Sequence, residues 1–375
     1  MCSGLKVFRL LGVLALVGAS QIFGNVRYKE VCFASITNHP DRYYRTAQNY
    51  LGNNDSLFMD FYEPENDTAS LRPAIVMLYG GSFITGSRKD TLITTFSTYF
   101  ASCGYAVFAI DYRIGFNILS ASLQGELAKA VYRALQDSRA AVRFIRKNAD
   151  SLKIDTSRIF AMGYSAGAIT IVHHAYLEQA DVSQIPPLAA VTSLLGELDQ
   201  GDNLQHSSKV NCVINCCGAI VDTSLVKSGK APILSFHGTN DSIVPYAAGY
   251  AFSDPSTVPL FGSFMIDQKA KAVGVPSKLV SFEGADHYLL GEPRVTIPIA
   301  TTEFLYGFMS GSNIRFKAPL KSTRIAHHAI YNQCFDLSGR LIKSQMIKPP
   351  ALIVHRGNSK NNKVLVVIRS NTGKR

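Results

Sequence analysis

Three short stretches carry residue types that could act together on an acyl group. Gly163-Tyr164-Ser165-Ala166-Gly167 offers a hydroxyl between two glycines, His237-Gly238-Thr239-Asn240-Asp241 offers a carboxylate, and Gly284-Ala285-Asp286-His287 offers an imidazole. A serine hydroxyl is a poor nucleophile unless a base takes its proton and the chain presents it without hindrance. Ser165 meets the second need if the apolar run before it is a strand and the run after it a helix, with Gly163 and Gly167 permitting the sharp turn between them. His287 is then the natural base and Asp241 the group that fixes its tautomer, and their chain order, Ser then Asp then His, suits such a turn. The tetrahedral oxyanion needs donors as well. The N–H of Ala166 can give one. The loop Tyr79-Gly80-Gly81-Ser82-Phe83 can give others, with Gly81 the first choice, Ser82 the second and Gly80 the third.

Other residues compete for these roles. His237 precedes the acid and is expected to pack under its loop. Asp286 adjoins His287, and adjacent side chains project differently, so it is a poor orienter. His173 and His174 fall in the helical run after Ser165 and are expected to face solvent or core. The pairs His173-His174 and His327-His328 are consecutive rather than four apart, which does not suit a helical metal site. Neither a metal nor an organic cofactor is expected.

Elements must bring these stretches together. From about residue 43 strand-like runs alternate with helix-like ones. The strand candidates are residues 57–62, 74–78, 106–111, 159–163, 212–216, 233–237 and 279–282. From residue 74 on they are short, apolar and rich in Val, Ile and Phe, as strands buried on both faces are. The clearest helix is 127–148, apolar at helical spacing with charges opposite. Such alternation predicts a mostly parallel sheet with helices on both faces. Ligands bind such sheets beyond the carboxyl ends of the strands. Gly80-Gly81, Ser165, Asp241 and His287 each follow a strand candidate, so all four converge on that edge. Residues 181–208 are rich in Pro, Gly and polar side chains, and read equally as a pocket wall or as an ordinary surface excursion.

Composition bounds the rest. With 375 residues, 47% apolar and 17% charged, the chain can bury a large core and is not globally disordered. The net charge of +11 is confined to the C-terminal segment. Residues 312–375 hold 13 Lys and Arg against one acid, Asp336, which leaves residues 1–311 at −1. Nucleic acid is therefore not an expected partner. Lys6 and Arg9 followed by LLGVLALVGA read as a secretory signal peptide over residues 1–24, because ten apolar residues are too few to span a bilayer, which takes roughly 20. Export permits disulfides, yet Cys212, Cys216 and Cys217 lie in an apolar run where Cys serves as a small hydrophobe. No obligatory bridge is predicted, and the lack of Cys-x-x-Cys argues against a zinc site.

YGGSFITGSR, FAIDYRIGF, DSRAAVRFIRKNA, IDTSRIFAMGYSAGA, HGTNDSIVPY and GADH together resemble the α/β-hydrolase superfamily, in particular its carboxylesterase-like branch. The GGxF loop is similar to that of feruloyl and acetyl-xylan esterases. The HGTND loop is closer to prolyl-oligopeptidase and dienelactone-hydrolase relatives. Tyr79 stands where the branch more often has His, and Ser82 where it has a third Gly. The resemblance implies an α/β-hydrolase fold with an eight-stranded, mostly parallel sheet over residues 25–311, an acyl-serine mechanism, and a structural role for the recurrent pair Asp137 and Arg143. Residues 330–369 resemble the C-terminal sorting domain of type IX secretion in the Bacteroidetes phylum, with strands flanking an Asp-Leu-Ser-Gly-Arg turn. That implies a small β-sandwich over residues 312–375 that engages the secretion machinery. The leading expectation is a secreted carboxylic-ester hydrolase acting on small-molecule or polymer-linked esters, such as acetyl or feruloyl decorations of plant polysaccharides. A serine exopeptidase and a non-catalytic binding protein on the same fold are the alternatives.

Overall fold

The computed structural model describes residues 26–311 together with two short strands, Cys334–Phe335 and Leu341–Ile342. The residues read as leader, and all but those two strands of the C-terminal segment, lie outside the described residues. The two strands pair antiparallel, Cys334 opposite Ile342 and Phe335 opposite Leu341.

Runs of branched and aromatic residues make the sheet. β3 (Arg72–Leu78), β4 (Ala106–Ile110), β6 (Cys212–Cys216) and β7 (Ile233–Gly238) are buried at every position. β5 (Ile154–Tyr164) is buried over its apolar half. A strand whose alternate side chains are all buried must be covered on both faces, and helices do the covering. One group comprises α1 (Thr91–Ser102) and α5 (Glu292–Met309), which touch each other. The other comprises α2 (Leu123–Lys147), α3 (Ala166–Tyr176) and α4 (Pro186–Leu195), with α2 packed against both of its companions. With β1 (Ile36–Gln48), β2 (Asn54–Pro64) and β8 (Ser277–Phe282), the sheet runs in the order β1-β2-β4-β3-β5-β6-β7-β8. β2 is antiparallel to both neighbours, and the remaining pairs are parallel. This is the α/β-hydrolase fold.

Three departures from the sequence reading have physical causes. β1 shows no apolar alternation because it is an edge strand with two register shifts, at His39/Arg42 and Tyr43/Arg45. α2 shows only part of its charge to water: Lys147 is exposed, but Arg133, Asp137 and Arg143 are buried. Finally, Asp137 and Arg143 are structural but are not each other's partner. Asp137 takes the backbone N–H of Arg113 at 2.8 Å and pairs with the guanidinium groups of Arg113 at 2.9 Å and Arg45 at 3.0 Å. Arg143 instead meets Asp199 and donates to the Gln200 carbonyl at 2.7 Å.

Those last bonds decide the nature of residues 181–208. Arg139 also holds Asp199, at 2.5 Å, and Gln136 donates to the carbonyls of Leu195 and Glu197. The segment is fastened along α2, and α4 within it places Leu188 on the wall of the cleft beside Ser165. It is a pocket wall.

Candidate active site

The strand register brings the loops together before any side chain is considered. Leu78 at the end of β3 stands opposite Gly163 of β5, and Tyr164 stands opposite Cys216 of β6. The Gly80-Gly81 loop therefore emerges beside the Ser165 turn. Phe282 at the end of β8 stands opposite Gly238 of β7, so the base loop emerges beside the acid loop. A Cβ on Gly238 would lie 2.3 Å from the Ala285 carbonyl oxygen, so only glycine allows the two loops this approach.

Ser165 sits at φ 55°, ψ −120°, between β5 and the first residue of α3. A non-glycine residue in the left-handed region is strained, and here the strain lifts the side chain clear of the sheet. Its N–H donates to the Cys216 carbonyl at 2.8 Å and its carbonyl accepts from Ile169 N–H at 2.9 Å, which locks the turn at both ends. A Cβ at Gly163 would lie 2.3 Å from the Gly167 carbonyl oxygen, and one at Gly167 would lie 2.5 Å from the Leu78 and Tyr79 carbonyl oxygens. Both glycines are required by space.

The three side chains meet in line. Ser165 Oγ is 2.8 Å from His287 Nε2, and His287 Nδ1 is 2.7 Å from Asp241 Oδ2. Oδ1 of the acid accepts the N–H groups of Ile243 and Val244, each at 2.9 Å. Burial pushes this carboxyl upward, but hydrogen bonds from His237 and His287 outweigh it, and the group is held well below the usual carboxylate range. An ionised Asp241 requires Nδ1–H on His287, leaving Nε2 free to accept the serine proton. Ser165 and His287 are only 6% and 5% exposed, so a reactant reaches them through the cleft.

Ser82 and Ala166 line that cleft with Ser165. Ala166 opens α3, so its N–H has no partner inside the helix and the positive end of the helix dipole faces the same point. Gly81 does not line the cleft. At φ 120° it shapes the turn, its carbonyl accepting from Ile84 and Thr85 N–H at 3.0 Å each, and a Cβ there would lie 2.2 Å from the Thr85 carbonyl oxygen. Tyr79 is buried, stacked on Tyr112 with ring centroids 4.4 Å apart, and takes no place at the site.

From Ser165 a cleft of about 750 Å³, its solvent-open part included, runs between α2, α3, α4 and the segment after the acid. Leu127, Val131, Ile169, Leu188, Phe252 and Leu260 give it apolar walls. On that side stands a small antiparallel sheet in which Ala248–Tyr250 and Pro259–Gly262, after the acid, join Ala219–Ile220 from before it, and a bond from Gln124 to the Thr257 carbonyl at 3.1 Å ties it to α2.

The competing candidates have other duties. Asp286 accepts from Tyr288 N–H at 2.9 Å and does not orient the base. His173 and His174 are buried in the core. Burial pushes them down to about 4 and about 3 respectively. His173 lines the cleft, but Nδ1 donates to the Ile169 carbonyl at 2.8 Å and Nε2 accepts from Val221 N–H at 3.2 Å, so the ring is neutral and fully engaged. Two residues of the site escaped the sequence reading. Tyr164 donates to the His287 carbonyl at 2.6 Å, and the buried Cys217 thiol approaches that carbonyl at 3.5 Å. Tyr164 was inside the motif, and only its phenol hinted at a bond. Cys32, Cys103, Cys212, Cys216 and Cys217 are all thiols.

Comparison with known proteins agrees with this architecture. The BD-FAE family model matches residues 59–223, which include the serine turn but neither acid nor base. Carboxylesterase patB of Penicillium expansum is 24% identical over 310 residues, covering 76% of this chain and 53% of that protein. The neuroligin-like protein glit-1 of Caenorhabditis elegans is 27% identical over 150 residues, 39% of this chain and 20% of its own. The chain thus spans about half or less of the length of these curated relatives. Among solved structures, Thermogutta terrifontis esterase 2 phosphorylated by paraoxon superposes with a TM-score of 0.52 at 23% identity, covering 79% of this chain and all of that one. The chain has the α/β-hydrolase fold, with a Ser–His–Asp relay at the carboxyl edge of its sheet.

Proposed function

We propose that this protein is a serine carboxylic-ester hydrolase, and the observation that carries the reading is the Ser165–His287–Asp241 relay opening onto an apolar cleft. Ser165 Oγ attacks the ester carbonyl carbon while His287 Nε2 takes its proton. Asp241 steadies the imidazolium that forms. The oxyanion is received by the N–H groups of Ala166 and Ser82, with Gly81 holding the loop in shape. Each such donor lowers the barrier by roughly 3–4 kcal/mol. The intermediate collapses to acyl-Ser165, and His287 returns the proton to the leaving alcohol. Water, activated by the same histidine, then releases the acid and restores the serine.

The cleft favours an acyl group that is itself apolar. Each buried methylene is worth about 0.8 kcal/mol, or about fourfold in kcat/KM. Feruloyl esters, which bring an aromatic ring, suit it better than acetyl esters, and polysaccharide decorations of that kind are the substrates we favour. The carboxylesterase named among the relatives supports the reaction class. Residues 1–24 are read as an export signal and residues 312–375 as a sorting domain, so the mature enzyme acts outside the cytoplasm. Among the described residues no helix is long and apolar enough to cross a membrane.

One panel tests the reaction: p-nitrophenyl acetate, butyrate and laurate, methyl ferulate and an aminoacyl anilide, on wild type and Ser165→Ala. Ester turnover should vanish with the serine. Anilide turnover above ester turnover would move the reading to a peptidase.

A further inference from the structure

His237 has surroundings that the proposed mechanism does not use. Its ring is fully buried at the carboxyl end of β7, four residues before the acid. Nε2 lies 3.2 Å from Asp241 Oδ2 and 3.1 Å from the Val244 carbonyl oxygen. Both neighbours are acceptors when the acid is ionised, so Nε2 carries the hydrogen. On the other side, Nδ1 lies 2.7 Å from the Ser263 hydroxyl. Ser263 accepts from Asn215 Nδ2 at 3.0 Å, and Asn215 Oδ1 accepts from Gly218 N–H at 2.9 Å. A run of buried polar groups thus leads from the end of β6, through Ser263, to the acid. It leaves the His237 ring one tautomer and one orientation.

Asp241 Oδ2 therefore receives two imidazoles, His287 at 2.7 Å and His237 at 3.2 Å. We infer that His237 is a positioning residue of the relay: it fixes the Asp241 carboxylate and takes up part of its charge, and so sets how strongly the acid supports a charged His287. The inference rests on the esterase reading. Around the two rings stand Tyr246 beside His237, and Cys217, Tyr164 and Tyr288 beside His287. The charge that both rings meet is that of Asp241. With the second donor removed, the carboxylate is more electron-rich and favours the imidazolium more strongly, and the acid limb of the pH–rate profile moves to higher pH.

Two substitutions separate this role from packing. In His237→Gln the amide nitrogen can reach the position of Nε2 and still donate to Asp241. In His237→Asn it reaches only the Ser263 side. The measurements are kcat/KM for p-nitrophenyl butyrate against pH, and the rate at which a fluorophosphonate labels Ser165 against pH, with thermal melts as the control. His237→Asn should raise the acid limb by about half to one pH unit and lower kcat roughly tenfold, with KM within about twofold. His237→Gln should return the limb to its wild-type position. Ser263→Ala, which frees the ring on its far side, should give a smaller upward shift, and it carries the test if the Asn variant does not fold. A His237→Asn variant, or in its place a Ser263→Ala variant, that loses only thermal stability while keeping the wild-type limb overturns the inference. A wild-type protein that neither turns over butyrate nor takes the fluorophosphonate overturns the esterase reading and the inference with it.

Discussion

At the scale of single residues, the serine turn is held by space as much as by bonds. The missing side chains at Gly163 and Gly167 would each run into backbone, which cannot move aside as a flexible side chain can. Gly163→Ala should therefore force the turn open, with a thermal midpoint several degrees lower and esterase activity reduced by at least a hundredfold. Differential scanning calorimetry and p-nitrophenyl butyrate turnover read the two effects. An alanine variant with wild-type activity would show that the turn relaxes without moving Ser165. Asp241→Asn tests the other end of the relay. It keeps the shape but can present an amide N–H to His287, which turns the imidazole to the wrong tautomer, and kcat should drop about 10⁴-fold.

At the scale of elements, α2 is fastened from below by a carboxylate and along its side by two guanidinium groups. Asp137 is wholly buried between Arg113 and Arg45, so removing it strands two cations without water. Breaking a buried pair in this way costs about 3–5 kcal/mol. Asp137→Ala should then lower the urea midpoint sharply, whereas Arg139→Ala, whose partner Asp199 is partly exposed, should cost far less. Equal losses in the two variants would contradict this account. The segment held by Arg139 and Arg143 also forms a wall of the cleft through Leu188. Leu188→Asp should depress turnover of butyrate and methyl ferulate more than that of acetate, a change seen in their ratio rather than in stability alone.

For the whole molecule, acid stability follows from histidines buried without charge. His173 and His174 are pushed down to about 4 and about 3, from an ordinary value of about 6.5. The unfolded chain therefore binds these two protons at higher pH than the folded one does. Stability is whole above about pH 6.5 and is lost as the pH falls toward 4 and then 3, by roughly 1.4 kcal/mol per unit and site. Asp241, held low, adds the same sign further down: its contribution is present above the ordinary carboxylate range and goes as its own value is approached. Urea midpoints should thus fall between pH 7 and pH 5, and His174→Gln should flatten that slope. If residues 312–375 are a separate domain, as their sequence reads, a chain ending at residue 311 should melt and turn over ester as the full chain does; a lower melting temperature would contradict that reading.

Much of this was legible in one dimension. The apolar runs marked the strands from β3 onward because strands buried on both faces need no polar residue. Ser165, Asp241 and His287 stood out because each follows such a run, and the strand ends of a parallel sheet share one edge. The edge strand β1 was not legible, since its polar face looks to water and its bulges break the alternation. The burial of Arg133, Asp137 and Arg143 was equally hidden, because a helix pattern shows which residues share a face but not what covers that face. The sequence by itself determined the strand–Ser165–helix turn, the order in which Asp241 and His287 follow it and the sheet that carries them, since local pattern and chain order suffice for those. Only the tertiary structure decided that Gly81 shapes the oxyanion loop, that residues 181–208 wall the cleft and that His237 shares the acid. Those facts depend on strand register and on which distant loops meet, and neither is written in the spacing of residues along the chain.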